Sequence, residues 1–275
     1  RDKTESGFEY NVGVNMSTIR NRMTKLNGGT PISDGPFRNG SMYLTYTNEG
    51  MPIGAFWGYK TDGLIQTQEQ LNAVKRADFQ PNAELGDVLF VDTNGDGKLD
   101  SSDRCMIGNP IPDIIYGINM GMAWKGFDLN LQFGGTIGNQ IFNAMRYYTY
   151  FPNDITNKDR ALMNYWTPNN TNTDIPRLTA TDVNDNDRFS DMYVENGTYF
   201  RLRNAQLGYT LPASLTQRIK LQKVRFYVSG QNLFTISSYS GMDPEVGQSS
   251  SLSRGIDYGI YPQNISFTGG INVTF

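Results

Sequence analysis

The chain ends in Ile265-Ser266-Phe267-Thr268-Gly269-Gly270-Ile271-Asn272-Val273-Thr274-Phe275. Apolar residues and one glycine occupy its odd positions, while its even positions are polar or glycine. Successive side chains of a strand point to opposite faces, so a pattern that repeats every two residues gives each face its own chemistry. The stretch therefore predicts a β-strand with one apolar and one polar face.

Five other segments alternate in the same way: residues 8–17, 114–124, 127–133, 199–211 and 224–236. In the fourth segment, Arg201 and Arg203 share a phase with Leu207 and Tyr209, which predicts a bulge near Asn204. These strands reach about 10–13 residues, whereas a typical strand has about 5–6. The greater strand length of this chain is close to that of a tilted strand that crosses a bilayer. A soluble sandwich also alternates, so the period alone does not decide between the two.

The connections between the six strands alternate between short and long. The short ones are residues 124–127 and 212–222, and the long ones are about 21–113, 138–198 and 237–263. Short periplasmic turns and long extracellular loops are typical of outer-membrane barrels. Six strands are too few to close a barrel, since the smallest have about eight. The prediction is therefore an all-β chain of six or so antiparallel strands within a larger transmembrane β-barrel.

Composition excludes several functions. The net charge is −3, and no cluster of Lys and Arg predicts a nucleic-acid partner. The chain has no histidine and one cysteine, Cys105, which excludes a Ser-His-Asp triad, a Cys-His pair and an intrachain disulfide. No apolar run approaches the ~20 residues of a membrane helix. Since no pair of carboxylates is marked out either, we predict that the chain is not an enzyme.

One loop has the spacing of a calcium site. In the twelve residues 92–103, oxygen ligands fall at positions 1, 3 and 5, glycine at position 6, a backbone carbonyl at position 7 and a carboxylate at position 12. The predicted metal ligands are Asp92, Asn94, Asp96, Lys98 and Asp103. We expect a structural Ca²⁺ that braces the loop. The alternative is a solvated turn without metal.

Other candidate sites are weaker. The aromatic residues Tyr147, Tyr148, Tyr150 and Trp166 are candidate ligand contacts, because aromatic rings stack on sugars, but they fit loop packing equally well. A second acidic loop, Asp182 to Asp187, lacks the glycine of a calcium loop and is predicted to be solvated. Cys105 is predicted to be a small, partly buried residue.

Several motifs recur along the chain in a characteristic order: residues 49–64 (EGMPIGAFWGYKTDGL), Gly86-Asp87, Ile107-Gly108-Asn109-Pro110, Trp166-Thr167-Pro168, Ile175-Pro176-Arg177, Tyr199-Phe200-Arg201-Leu202-Arg203-Asn204, Leu207-Gly208-Tyr209, Leu211-Pro212, Gly230-Gln231-Asn232-Leu233-Phe234-Thr235, residues 239–245 (YSGMDPE) and the terminal Phe275. Together and in this order, these motifs resemble those of the SusC/RagA-like TonB-dependent outer-membrane transporters. Trp57 stands where the family often has Tyr.

The resemblance implies that residues 1–275 are the C-terminal part of a 22-stranded barrel of the kind that carries a plug in its lumen. The plug and N-terminal domains would be absent from this chain, and the other barrel strands would lie outside it. The implied location is the outer membrane of a Gram-negative bacterium, in contact with its lipid. Phe275 resembles the signal read during barrel assembly.

The implied function is TonB-dependent import of a large nutrient, an oligosaccharide or glycan or a peptide. The implied partners are a SusD-like surface lipoprotein and the TonB complex, which would act through the N-terminal part. Two alternatives remain open at this point. One is a passive outer-membrane channel or adhesin, and the other is a secreted, calcium-braced, glycan-binding β protein.

Overall fold

A computed structural model describes residues 2–5, 7–38, 40, 42–151, 157–247 and 250–275. Its strands are β1 (Asp2–Lys3), β2 (Glu9–Thr18), β3 (Ile32–Phe37), β4 (Met42–Thr47), β5 (Ala55–Gly58), β6 (Thr61–Leu64), β7 (Val88–Phe90), β8 (Cys105–Gly108), β9 (Ile114–Trp124), β10 (Phe127–Ile137), β11 (Gln140–Asn143), β12 (Val194–Asn196), β13 (Tyr199–Thr210), β14 (Lys223–Ser237), β15 (Ile256–Asp257) and β16 (Ser266–Thr274). Its α-helices are α1 (Gln68–Arg76), α2 (Ala144–Tyr150) and α3 (Ala213–Thr216). Short 3₁₀ turns span Asn27–Gly29, Ser101–Asp103, Arg160–Asn164, Asp191–Tyr193 and Gln217–Ile219.

The long strands form one antiparallel sheet, which we call the wall sheet, in the order β1-β2-β9-β10-β13-β14-β16. The six long strands predicted from the alternation are all present, and the all-β prediction is confirmed. The two-residue strand β1 was not predicted. None of the helices in the described residues is long and apolar enough to cross a membrane.

Pairing across the wall sheet keeps its two faces chemically distinct. One row of directly opposed residues runs Tyr10, Met122, Leu129, Leu207 and Val228, and all of its side chains are apolar. The next row runs Asn11, Gly121, Asn130, Gln206, Ser229 and Thr268. Since neighbouring residues of a strand point to opposite faces, the two rows lie on opposite sides of the sheet.

The hairpin between β9 and β10 confirms the predicted tight turn. Trp124 pairs with Phe127, and the two residues between them, Lys125 and Gly126, have φ values of 47° and 89°. Two successive positive φ angles are the signature of a type I′ turn, whose twist matches that of the flanking strands. Gly126 suits this position because it has no Cβ to clash in the left-handed region.

The predicted bulge is also present. The pairing of β13 with both neighbours shifts between Leu202 and Asn204, which leaves Arg203 without an opposed residue. The extra residue sends Arg201 and Arg203 to the polar side of the sheet while Leu202 pairs with Phe133. The bulge explains why the alternation of this segment is broken at these two arginines.

The three long loops fold together into what we call the loop module. It contains a four-stranded sheet β3-β4-β5-β8, a three-stranded sheet β12-β11-β15 and the two-stranded pair β6-β7. Helix α1 begins with a capping box, in which Thr67 accepts from the Gln70 backbone N–H and Gln70 accepts from the Thr67 N–H. Its inward side carries the buried Leu71.

The core of the loop module draws on all three loops. Phe37 and Phe56 come from the first loop, Phe142 and Tyr193 from the second, and Ile256 from the third, and each is at most 3% exposed. Strand β11 of the second loop pairs in parallel with β15 of the third. Burial of aromatic side chains is the main driving force for such association. The loops are therefore one packed body rather than independent connections.

Candidate functional site

Sequence motifs that are far apart in the chain meet in the loop module around Asp87. The Asp87 carboxylate is fully buried and accepts from Arg177 Nε at 2.6 Å and from Asn186 Nδ2 at 3.0 Å. The Arg177 backbone N–H donates to the Gly86 carbonyl, and the Trp166 N–H donates to the Ile175 carbonyl. A buried charge that is paired and fully hydrogen-bonded holds its neighbours in one arrangement.

Gly86 lies directly under the Trp166 ring. A Cβ at this position would collide with the Trp166 ring carbons Cε3 and Cδ2, and its φ of +86° is also unfavourable for any other residue. The Trp166 ring N–H donates to Gln66 Oε1 at 2.8 Å. The motifs around Gly86, Trp166 and Arg177 therefore form one structural unit, which sequence spacing alone did not reveal.

A second unit joins the third loop to the wall sheet. The Arg201 guanidinium donates to Asp243 Oδ1 at 2.5 Å, to Glu245 Oε2 at 2.9 Å and to Thr235 Oγ1 at 2.8 Å. Arg203 also donates to Glu245. Burial acts to raise the pKa of Asp243, but backbone N–H groups of Gln263 and Glu245, together with Arg201, outweigh burial and lower it. The Asp243 carboxylate is thus strongly held in its charged form.

The predicted calcium loop has the backbone shape that its sequence suggests. The N–H groups of Gly95 and Gly97 donate to the two oxygens of Asp92 at 2.7 and 2.9 Å, and Gly97 has a φ of +76°. Both hydrogen bonds lower the pKa of the Asp92 carboxyl, and the bond from the Gly97 N–H has the larger effect. The Asp96 N–H donates to Asn94 Oδ1. The loop lies between β7 and β8 and is not flanked by α-helices.

The closing residue of this loop differs from the others in burial. Asp103 is fully buried and accepts from the Thr93 and Asp100 N–H groups at 3.0 and 2.9 Å. Within the described residues, no three His, Cys, Asp or Glu side chains surround one point. A calcium ion would therefore also need the Asn94 amide and the Lys98 carbonyl. The donor set, all hard oxygens, fits calcium in kind.

The four aromatic residues predicted as ligand contacts pack inside the loop module. Tyr147 and Trp166 are only 7% and 6% exposed, and Tyr148 and Tyr150 are partly buried. The Tyr147 hydroxyl donates to Asp187 at 2.8 Å, and burial raises its pKa. The Arg146 guanidinium lies over the Tyr150 ring. These contacts favour the packing interpretation that the sequence left open, while ligand binding at these rings stays a prediction.

The prediction that the second acidic loop is solvated is wrong for two of its residues. Asn184 and Asn186 are 5% and 2% exposed, because their amides bond to the backbone and side chains around β7. The Asn186 Oδ1 accepts from the Val88 N–H at 2.8 Å. Burial raises the pKa of the neighbouring Asp182. Cys105 is partly buried, as predicted.

The polar face of the wall sheet carries an ion pair that spans three strands. Arg225 of β14 donates to both oxygens of Asp128 of β10, at 2.8 and 2.5 Å. Gly208 of β13 lies between them, and a Cβ there would collide with the Arg225 guanidinium. The glycine leaves room for a bidentate pair, the strong form of this interaction. Sequence analysis missed this pair because its partners are about a hundred residues apart.

Comparison with known proteins gives consistent results. No family model matches the chain. "TonB-dependent receptor P3" of Formosa agariphila is 36% identical over 287 residues, which cover 100% of this chain and 28% of that receptor. "TonB-dependent receptor SusC" of Bacteroides thetaiotaomicron is 27% identical over 269 residues, 98% of this chain and 24% of the receptor. The chain thus spans about a quarter of the curated relatives it matches.

Solved structures agree in fold. The RagAB peptide transporter matches with a TM-score of 0.72 and 24% identity over 98% of this chain and 27% of that chain. The RagAB peptide importer in the "closed-closed" state matches with a TM-score of 0.74, also at 24% identity, over 100% of this chain and 28% of that chain. The resemblance expected from the sequence motifs is confirmed.

Proposed function

We propose that this chain, which is similar over its whole length to SusC/RagA-like TonB-dependent receptors, forms part of the wall and outer loops of an outer-membrane importer. The observation that carries the proposal is the 36% identity to a TonB-dependent receptor across the full chain. In this role the wall sheet continues into further strands and closes a barrel around a plug, both supplied by other parts of the receptor.

The faces of the wall sheet support a membrane setting. Val12, Val14, Met16 and Phe267 on the apolar face are 59–79% exposed. A row of large apolar side chains exposed along one face of a sheet is unusual on a soluble protein and is expected where lipid covers that face. The opposite face carries Asn, Gln and the Asp128–Arg225 pair, which suits a wet lumen. We therefore assign the apolar face to lipid of a Gram-negative outer membrane.

The loop module would then lie on the extracellular side, since the opposite end of the sheet has only short turns. Its packed core makes it a firm surface for a SusD-like lipoprotein and for the incoming nutrient. The nutrient is a large one, an oligosaccharide or glycan or a peptide. The TonB complex would act from the periplasm on the N-terminal part of the receptor. Transport of this kind needs no covalent chemistry, so no enzymatic role is proposed.

Three predicted sites are carried forward as parts of this proposal. The loop from Asp92 to Asp103 holds a structural Ca²⁺ that braces the loop module. Phe275, which directly follows β16 and is 84% exposed, serves as an assembly signal. The aromatic residues Tyr147, Tyr148, Tyr150 and Trp166, which pack within the substrate-facing loops, are kept as candidate ligand contacts.

The test is uptake by the full-length receptor, expressed with its lipoprotein in the outer membrane of a host that has or lacks tonB. We expect uptake of a labelled oligosaccharide or peptide only when both the receptor and TonB are present. Uptake that persists without TonB would favour the passive channel. Recovery of the receptor in the soluble fraction without detergent would favour a secreted glycan-binding protein.

A further inference from the structure

A cleft of about 420 Å³ opens on the loop module at the β6–β7 pair, away from the wall sheet. Its lining includes Asp62, Leu64, Gln70, Thr173, Asp174 and Met192. The cleft thus joins the first long loop to the second. Gly63 of β6 has a φ of +74° and no atom within 4 Å of where a Cβ would lie, so the space above it is open.

The floor of the cleft is apolar and firmly held. Leu64 and Val88 are opposed in the β6–β7 pair and are 6% and 1% exposed. Met192 packs beside them against the same buried cluster as Trp166. A rigid apolar floor bounded by a few polar groups is the usual form of a small-molecule site.

Gln70 supplies free hydrogen-bond donors at the rim. Its Oε1 accepts from the backbone N–H groups of Gln66 and Thr67 at 2.8 and 3.1 Å. These two donors fix the orientation of the amide, since only its oxygen can accept. Within the described part of the chain, its Nε2 has no partner. Two N–H donors are therefore held at the rim by the cap of helix α1.

Other rim groups add free acceptors and a further donor. The Asp62 carboxylate is exposed and has no partner among the described residues. Asp174 pairs with Arg146 through one oxygen, which leaves the other oxygen free. The Thr173 hydroxyl oxygen accepts from the Ile175 N–H at 3.1 Å, and its own hydrogen is available. The rim thus presents both free donors and free acceptors.

We propose that this cleft binds a neutral sugar residue of an oligosaccharide. A pyranose ring presents apolar C–H groups on its faces and hydroxyl groups at its edge, which both donate and accept. The partly exposed Met192 side chain and the accessible edge of Leu64 suit the ring face, while Gln70, Asp62 and Asp174 suit adjacent hydroxyls. The cleft volume of about 420 Å³ lies within the range of small-molecule sites, about 300–1,000 Å³. Binding needs only the residues of this chain, but its value for uptake rests on the proposed importer.

A cationic peptide side chain fits the cleft less well. The Asp174 charge is already balanced by Arg146, and the Gln70 amide and Thr173 hydroxyl present donor hydrogens that would face a cation. One unpaired carboxylate on an exposed rim gives little binding energy to a lone charge. The cleft therefore has more free groups that can hydrogen-bond to hydroxyls than groups that can bind a cation, and this favours a sugar over a cationic side chain.

The test uses the purified full-length receptor in detergent and saturation-transfer NMR. The probes are neutral trisaccharides of α-glucan, β-glucan, galactan, mannan and xylan, with Lys-Ala-Lys as a cationic peptide. The decisive variant is Gln70→Glu, which keeps the oxygen that caps α1 but replaces the free amide donors. Asp62→Ala is the second variant, because alanine removes both acceptor oxygens. Gln68→Glu makes the same charge change on an exposed residue of the same helix outside the cleft.

We expect at least one trisaccharide to bind, with affinity at least 10-fold weaker in Gln70→Glu, more modestly weakened in Asp62→Ala and unchanged in Gln68→Glu. Equal trisaccharide binding by Gln70→Glu, binding of Lys-Ala-Lys alone, or no binding by any probe would each overturn the proposal. Because the measurement involves no TonB and no transport, these outcomes are independent of the uptake test of the proposed function.

Discussion

Arg201 Nη2 lies 2.5 Å from Asp243 Oδ1, with the two side chains 2% and 8% exposed, where the wall sheet meets the third long loop. Arg201 belongs to the bulged strand β13, whereas Asp243 lies in the loop that follows β14. Asp243 also accepts from the Gln263 N–H near the end of that loop. One buried carboxylate thus connects the wall sheet with both ends of the third loop.

Arg201→Met is expected to release the third loop. Removing one partner of a buried ion pair leaves the other charged and unpaired, at a cost of about 3–5 kcal/mol. Hydrogen exchange should rise across residues 239–263 and change little in β9 and β10. The double variant Arg201→Met/Asp243→Asn should recover part of the loss, because it removes the orphaned charge. Unchanged exchange in the single variant would contradict this role.

Acid should have a similar effect on the same loop. The folded pKa of Asp243 lies below the ordinary Asp value of 3.8, so its stabilising contribution is complete above that value. The contribution is lost as pH falls through the folded pKa. Limited proteolysis within residues 239–263 should therefore stay low at pH 7 and pH 5 and increase below pH 4. Release of the loop already at pH 6 would show that another group controls it.

Asp182 should have the opposite pH dependence. Burial raises its folded pKa, so its favourable contribution is present below the unfolded pKa and is lost as pH rises through the folded value. Asp182→Asn should therefore stabilise the loop module at pH 7 and have little effect at pH 3. Thermal unfolding followed at both pH values measures the difference. A larger stabilisation at pH 3 than at pH 7 would show that the sign is wrong.

Gly86→Ala should destabilise the loop module more than a comparable glycine substitution. Both Gly86 and Gly28 have positive φ values, of 86° and 78°, so alanine is strained at either position. Only Gly86 has the Trp166 ring where the Cβ would lie. Overpacking adds about 1–3 kcal/mol to the backbone strain. Denaturant unfolding followed by tryptophan fluorescence should place Gly28→Ala between the wild type and Gly86→Ala.

Calcium should stabilise the loop from Asp92 to Asp103. Binding to the folded state alone adds about 2.7 kcal/mol at a hundredfold excess over Kd. A melting temperature higher in calcium than in EGTA, together with terbium luminescence, would report occupation of the site. Asp96→Ala should abolish both signals, and Asp185→Ala, in the other acidic loop, should keep them. Equal melting temperatures of the wild type in calcium and EGTA would remove the metal from the proposal.

Alternation by itself determined the long strands, their two faces, the turn at Lys125-Gly126 and the bulge at Arg203. These features depend on neighbouring residues, and a period of two has only one structural solution over ten residues. The spacing of the loop from Asp92 to Asp103 likewise determined its turn, because its hydrogen bonds join residues within it. In each case, interactions between residues close together in the sequence were sufficient to determine the local structure.

Only the tertiary structure decided what the long loops do. Asp87 and Arg177 are 90 residues apart, and Phe37 and Ile256 meet in one core although no local pattern connects them. Asn184 and Asn186 were predicted to be solvated, and the sequence left Tyr147 and Trp166 open between ligand contact and loop packing, yet all four are buried. Their burial depends on partners from other loops. Contacts between residues so far apart in the chain produce no periodic pattern in the sequence from which they could be predicted.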